Sequence, residues 1–243
     1  MNLAGWEWTL AAVAALLVGL SKTGISGLGL LPVVLFAQIM PAKEATGVVL
    51  PLLCFGDLAA VAFYRRHATW RLLWRLFPWT AVGVVAGYVA LGRIDEHETR
   101  ILIGSIVLSL VAIHLYRRWR APDETVLGFW FAALIGVLAG FTTLVANAAG
   151  PLMVIYLLAM RLPKLEFMGT GAVFFMLLNW FKVPFMIHLG LINAHSFRIN
   201  LLLAPAVFAG AWLGARILHR INQRLFENLA LGLSALAALE LMF

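Results

Sequence analysis

Charge is scarce in this sequence. Asp, Glu, Lys and Arg make up 12% of its 243 residues, and the longest polar stretch, roughly Arg117 to Thr125, is too short for a soluble domain. With 63% hydrophobic residues and a mean hydropathy of +0.95, the chain lacks the polar surface that a water-soluble protein of this length needs. A single cysteine, Cys54, excludes an internal disulfide. His67, His97, His114, His188, His195 and His219 sit mostly at the ends of apolar segments without metal-ligand spacing, so neither a metal nor another cofactor is expected. The opening Met-Asn-Leu-Ala-Gly-Trp-Glu-Trp puts no basic residue ahead of its apolar run, and no cleaved signal peptide is expected. The net charge of +7 comes from basic residues that mostly flank apolar spans, a pattern of membrane topology and lipid headgroups and not of nucleic acid.

What the chain has instead is apolar segments, at Trp6 to Met40, Glu44 to Tyr64, Arg71 to Gly92 and Glu98 to Tyr116, then Thr125 to Met160, Glu166 to His188, Phe197 to Ile217 and Leu225 to Phe243. Six are about 20 residues long, enough to cross a hydrocarbon core of about 30 Å. The two near 35 residues are too long for one crossing and short for two. Each is interrupted, by Gly19 to Pro32 and by Gly140 to Pro151, where glycines, small residues and side-chain donors precede a proline. Backbone freed at membrane depth must be satisfied by protein or by water in a cavity. Paired interruptions in two halves of a chain are a sequence pointer to a transporter's binding site. Trp6, Trp8, Trp70, Trp74, Trp119 and Trp130 cluster near segment ends, as interfacial anchors do.

The halves repeat. Pro41-x-x-Glu44-x-x-Gly47 recurs as Pro163-x-x-Glu166-x-x-Gly169, Pro78-x4-Gly83-x3-Gly87 recurs as Pro205-x4-Gly210-x3-Gly214, and Gly104 finds Gly232. Several patterns in one order indicate a duplication of about 120 residues, with repeats at 1–120 and 121–243. Charge decides how the interrupted segments run. If each crosses once, the loops divide sixteen basic residues eight to eight. If each is a hairpin returning to its own side, Arg65, Arg66, Arg71, Arg75, Arg117, Arg118, Arg120, Arg161, Lys164, Arg216, Arg220 and Arg224 face Lys43, Arg93, Arg100 and Arg198, twelve to four. The second division is the asymmetry that membrane insertion favours. The expectation is therefore an all-α polytopic membrane protein of two inverted repeats. Each has a broken, re-entrant helical hairpin (6–40 and 125–160) and three transmembrane helices (44–64, 71–92 and 98–116; 166–188, 197–217 and 225–243). Both termini are expected outside and the basic loops in the cytoplasm. Half-helices of about 13 residues, rising about 20 Å, would bring the hairpin tips past mid-membrane.

The return helices are expected to begin near Gly27 and Asn147. Helix N-termini present unpaired N–H groups and a positive dipole end, which suits an oxyanion. Around the first break Lys22 supplies charge and Ser21, Thr23 and Ser26 supply hydroxyls, with backbone N–H groups near Gly27 and Gly29. Thr142, Thr143 and Asn147 supply the second break. Helix packing through small residues is the competing account, but packing requires no lysine at depth, which costs on the order of 3 kcal/mol. In the crossing segments Asp57 lies mid-span, Asn179 is its repeat equivalent, and Lys182 follows one turn later. Asp57 is either a proton-coupling or gating residue or a structural ion pair with Lys22 or Lys182, and Lys182 is either a second anion ligand or a snorkelling lysine.

Gly24-Ile-Ser-Gly27-Leu-Gly29-x-x-Pro32 resembles the glycine-rich first motif of the TauE/SafE family of sulfite and organosulfonate permeases. Ala146-Asn-Ala-Ala-Gly-Pro151-x-Met153-x-x-Tyr156-Leu-Leu is similar to a form of its second. The resemblance covers essentially the whole chain. It implies a multi-pass inner-membrane transporter, an exporter, of small sulfur-containing anions such as sulfite or sulfonates. From the residues, the expected partners are a small anionic solute and the lipid bilayer, with no nucleic acid. The expected mechanism is alternating access around a central anion site, with coupling to protons or without. A passive anion channel shares these features. A membrane enzyme acting on lipid phosphates is disfavoured, since Asp57 alone among acidic residues lies deep in an apolar segment, and the chain is not expected to be an enzyme.

Overall fold

The structure, a computed structural model, describes residues 5–26, 28–90 and 128–242 and seven residues between 101 and 115. The crossing expected at 98–116 falls largely outside the described residues, as does Gly27. Regular structure among the described residues is helical: α1 (Gly5–Thr23), a 3-10 turn (Leu28–Leu30), α2 (Leu31–Ala37), α3 (Ala42–Tyr64), α4 (Trp70–Ala90), α5 (Phe129–Ala146), α6 (Ala149–Ala159), α7 (Lys164–His188), α8 (Ala194–Arg220) and α9 (Gln223–Met242). Five spans, Glu44–His67, Trp70–Ala90, Phe129–Ala146, Lys164–His188 and Ala194–Arg220, are long and apolar enough to cross a membrane. Val82, Val85 and Val89 on α4 and Leu201, Leu202, Phe208 and Trp212 on α8 face outward, the surface a lipid solvent requires. The protein is an all-α polytopic membrane protein.

The repeated Pro-x-x-Glu motifs start equivalent helices in the same way. Pro41 and Pro163 stand at the N-caps of α3 and α7 with φ/ψ of −53°/137° and −54°/148°. Proline fixes φ there and gives up a donor that the first turn does not use. The two helices pack against each other in opposite directions. Gly47 lies on the Leu191 carbonyl, Asp57 meets Asn179, and the Thr69 amide after α3 donates to Thr170 Oγ1 at 2.9 Å, so that one number rises as the other falls.

Both interrupted segments are hairpins. In the second, the Phe131 ring near the start of α5 stacks on Tyr156 near the end of α6, with centroids 6.0 Å apart, so the short arm runs back along the long one. In the first, Phe36 of α2 and Met40, Ala45, Val48 and Val49 share a core with Ala11, Ala14 and Ala15, in the first half of α1. At the other end of α1, Tyr64 from the last turn of α3 donates to the Thr23 carbonyl at 2.8 Å. α1 and α3 thus run the same way, and α2 carries the chain back.

The arms are unequal, contrary to the expected half-helices of about 13 residues: α1 has 19 and α2 has 7, α5 has 18 and α6 has 11. The physical reason lies in the first glycine of each stretch. Gly19 and Gly140 remain helical, and each is small because another backbone lies against it. A Cβ on Gly19 would overlap the Val207 carbonyl oxygen of α8, and one on Gly140 the Thr80 carbonyl oxygen of α4. Gly210 meets Leu16 and Gly83 meets Val137 in the same manner, so α8 closes on α1 and α4 on α5 through their glycines.

Candidate functional site

The helix that Gly19 allows to continue places Lys22 in the last turn of α1. Its stem passes Gly56, whose absent Cβ would stand 3.0 Å from Lys22 Cγ. Lys22 Nζ then lies 2.6 Å from Asp57 Oδ1 and 4.3 Å from the centre of the Phe175 ring, a position that adds cation–π attraction to the ion pair. Asp57 Oδ2 accepts from Asn179 Nδ2 at 2.6 Å. The carboxylate of α3 is therefore held from two sides, by α1 and by α7.

At the second break Asn147 adopts φ +52°, the left-handed conformation that ends α5, and its amide donates to the Thr143 carbonyl at 3.0 Å. Asn tolerates this conformation better than other non-glycine residues. Its side chain faces two ways: Nδ2 donates to the Thr46 carbonyl at 3.2 Å, and Oδ1 accepts from Lys182 Nζ at 2.5 Å. Lys182 donates further to the Thr143 carbonyl at 2.9 Å and to Thr143 Oγ1 at 3.0 Å. An ammonium at a helix C-terminus also offsets the negative end of the helix dipole.

Between these clusters lies a partly enclosed cavity of about 730 Å³, counting the open space at its mouth. Ser21, Lys22, Ser26, Gly29, Thr143, Asn147 and Asn179 line it, so seven of the residues singled out in the sequence share one cavity. Thr23 and Thr142 do not. The Thr23 hydroxyl donates to the Ala211 carbonyl at 2.6 Å across the α1–α8 seam, and the Thr142 hydroxyl turns back to the Ala139 carbonyl at 3.3 Å. Lys182 stands behind the wall, fully buried, with Thr143 and Asn147 between it and the cavity. The Asn147 amide is taken up within α5, while Gly150, in the first turn of α6, lines the cavity. A Cβ on Gly29 or Gly150 would meet no atom within 4 Å, so these glycines leave open space at the wall and are not packed against protein.

The apolar part of the lining was not foreseen: Met153, Leu157, Phe167, Met168 and Phe175 also line the cavity, and Ser26 donates its hydroxyl to Met168 Sδ at 3.3 Å. No sequence signal separates these residues from ordinary core. Tyr64, which caps α1, was equally hidden. Among the described residues no three His, Cys, Asp or Glu side chains converge as metal ligands. The cavity presents one lysine, Lys22, neutral polar side chains and the first turn of α6 at Gly150, chemistry suited to an anion.

Over 158 residues, 64% of its length, the chain is 28% identical to a Comamonas testosteroni protein named "Probable inner membrane transporter protein TsaS". The matched stretch spans 65% of that relative. No solved structure matches. The sequence profile of the family described as "Sulfite exporter TauE/SafE" matches residues 11–241, and the chain belongs to that family.

Proposed function

We propose that the protein is a secondary transporter, an exporter of small sulfur-containing anions such as sulfite or organosulfonates across the cytoplasmic (inner) membrane. The observation that carries this reading is a lysine at the wall of a partly enclosed cavity, where the breaks of two re-entrant hairpins face each other. Family membership and the relative's printed name support the class of protein. The anion takes its charge partner from Lys22 and its hydrogen bonds from Ser21, Ser26, Thr143, Asn147 and Asn179, with the backbone at Gly29 and Gly150 close by. Lys182 strengthens the site from behind. Asp57 is the gate: its carboxylate competes with the anion for Lys22, and that competition is where a proton would enter the cycle.

The two halves, 1–120 and 121–243, act as inverted repeats in this reading. Support comes from the antiparallel contact of the equivalent helices α3 and α7, and from the exchange that packs each hairpin's long arm on a helix of the other half. A pseudo-two-fold axis in the membrane plane produces both features. Basic loops in the cytoplasm put both termini in the periplasm. The cavity runs from Asn179, mid-helix, to Phe167 in the first turn of α7, toward the end of the bundle bearing Arg65, Arg66 and Arg161, and so faces the cytoplasm in this topology. Rocking of one half on the other along the glycine seams then exposes the site alternately.

A passive channel needs a continuous pore, whereas the Lys182–Asn147–Thr46 chain of hydrogen bonds ties three helices together at one end of the cavity. An enzyme needs a free general base, and Asp57 is bound by Lys22 and Asn179. The test is flux of sulfite and of a small sulfonate in proteoliposomes, with and without an imposed pH gradient, for wild type and Lys22→Ala. Saturable uptake lost in the variant is expected. Flux that never saturates makes the protein a channel.

A further inference from the structure

Resting on the carrier reading above, we infer that Asn200 is a second station for the anion, on the outer half of its path, and that the apolar cluster around it is the seal that parts to let the anion through. Asn200, in the second turn of α8, is 0% exposed, and neither its side-chain nitrogen nor its side-chain oxygen finds a hydrogen-bond partner among the described residues. Its place follows from the glycine seam. Val207 lies on Gly19 and Gly214 on Gly24 of α1, so α8 and α1 run the same way. Asn200 is on that face of α8, about two turns before Val207, and is therefore turned to the first half of α1. Ile199 and Leu203, on either side of it, share a core with Ala11, Ala14, Val48 and Phe36. An amide without a partner among aliphatic groups is a costly thing for a folded chain to bury.

Packing does not ask for that amide. The spacing that matches Pro78 with Pro205 and Gly83 with Gly210 matches Leu73 with Asn200, and Leu73 is 2% exposed in α4. A leucine thus fills the equivalent position, and on α8 an amide stands there at a cost. The cost is offset if the amide is wetted or bonded in another state of the protein. The cluster stands where such a state opens. The cavity faces the cytoplasmic end, whereas Ala11, Val48 and Ile199 lie in the first halves of α1, α3 and α8, toward the periplasmic end, and Leu53 belongs both to this cluster and to the cavity lining. Parting α8 from α1 there continues the cavity outward past Leu53 and brings onto the path the Asn200 amide, whose NH2 group has two hydrogens to donate to an oxyanion. The unmet amide also disfavours the shut seal, and so eases its opening.

The experiment places a thiol on that path, with Asn200→Cys in a Cys54→Ser background, in vesicles whose periplasmic face is outward and with a membrane-impermeant maleimide outside. The thiol should be labelled faster during efflux of ethanesulfonate than at rest. Asn200→Leu gives α8 the residue that α4 carries. It should melt no lower than wild type, turn over about tenfold more slowly, and reach half-saturation at no higher ethanesulfonate concentration. A residue that only packs would not slow turnover in a protein of unchanged stability. A thiol labelled no faster during efflux in a variant that transports, or a folded Asn200→Leu that turns over at the wild-type rate, overturns the inference and leaves the carrier reading intact. If the thiol variant does not transport, the turnover of Asn200→Leu decides, and if the leucine variant does not fold, the labelling decides. Loss of folding in both makes Asn200 a packing residue and overturns the inference as well. No saturable flux of ethanesulfonate or of sulfite by folded wild type overturns the carrier reading itself, and this inference with it.

Discussion

Replacing Lys182 by Met separates function from folding. The substitution keeps the length and apolar stem of the side chain and removes its charge. Of the three oxygens that lose a donor, Thr143 O still accepts from the Asn147 amide at 3.0 Å. Thr143 Oγ1 and Asn147 Oδ1 are left short, at about 1–3 kcal/mol each, or about 2–6 kcal/mol together. Against this stands the cost of keeping an ammonium at 0% exposure, which is several kcal/mol and disappears with the charge. The two nearly cancel, so the variant should stay within about 2 kcal/mol of wild type, a change of less than about 8 °C in melting temperature for a chain of this size. Saturable anion uptake should nevertheless fall, because Lys182 no longer supports the site from behind Thr143 and Asn147. The checks are thermal unfolding in detergent followed by size exclusion, and flux in proteoliposomes. Normal flux in the Met variant refutes an anion-binding role for Lys182, and a collapse of the fold makes it a structural cap of α5.

Other consequences follow from the packing. Gly210→Ala puts a methyl group into the Leu16 carbonyl of α1 and should destabilise by about 1–3 kcal/mol, visible as a lower melting temperature. Gly29→Ala, with open space around it and a backbone an alanine can adopt, should leave melting unchanged and weaken anion uptake by narrowing the wall. Tyr64→Phe removes the hydroxyl that caps the Thr23 carbonyl and should cost about 1 kcal/mol, read by thermal unfolding. Asn147→Gly relieves the left-handed backbone yet breaks the bridge from Lys182 to Thr46. Its melting temperature should change little while its flux falls, and equal flux would remove Asn147 from the site.

Charge distribution was the most informative signal in the chain. A twelve-to-four division of basic residues called for hairpins, and the stacking of Phe131 on Tyr156 and the shared direction of α1 and α3 are what hairpins look like. What glycine does at a given position was less legible. Gly19 and Gly140 look like helix breaks in the sequence, but their role is to admit a neighbouring backbone, and the neighbour comes from the other half of the chain. Gly29 and Gly150 leave space at the cavity wall. The same tertiary dependence separates Thr142 from Thr143: adjacent on α5, one hydroxyl turns to its own helix while the other faces Lys182 and the cavity. The pairing of Lys22 with Asp57 was open as one of two ion pairs, and the choice depended on α1 running alongside α3. Lys182 as a cap on α5 had no local signature, because its partners stand 35 and 39 residues away in the chain.

The central claim is that an anion sits in the cavity between the two breaks. It is tested most directly by thiol protection at Gly150, using Gly150→Cys in a Cys54→Ser background. Gly150 lines the cavity with open space around it, so the new thiol should react readily with a small maleimide. A small sulfonate should slow that reaction with the same concentration dependence as it saturates uptake, and Lys22→Ala should abolish the protection. Labelling that proceeds at one rate at every sulfonate concentration, in protein that still transports it, would place the anion elsewhere.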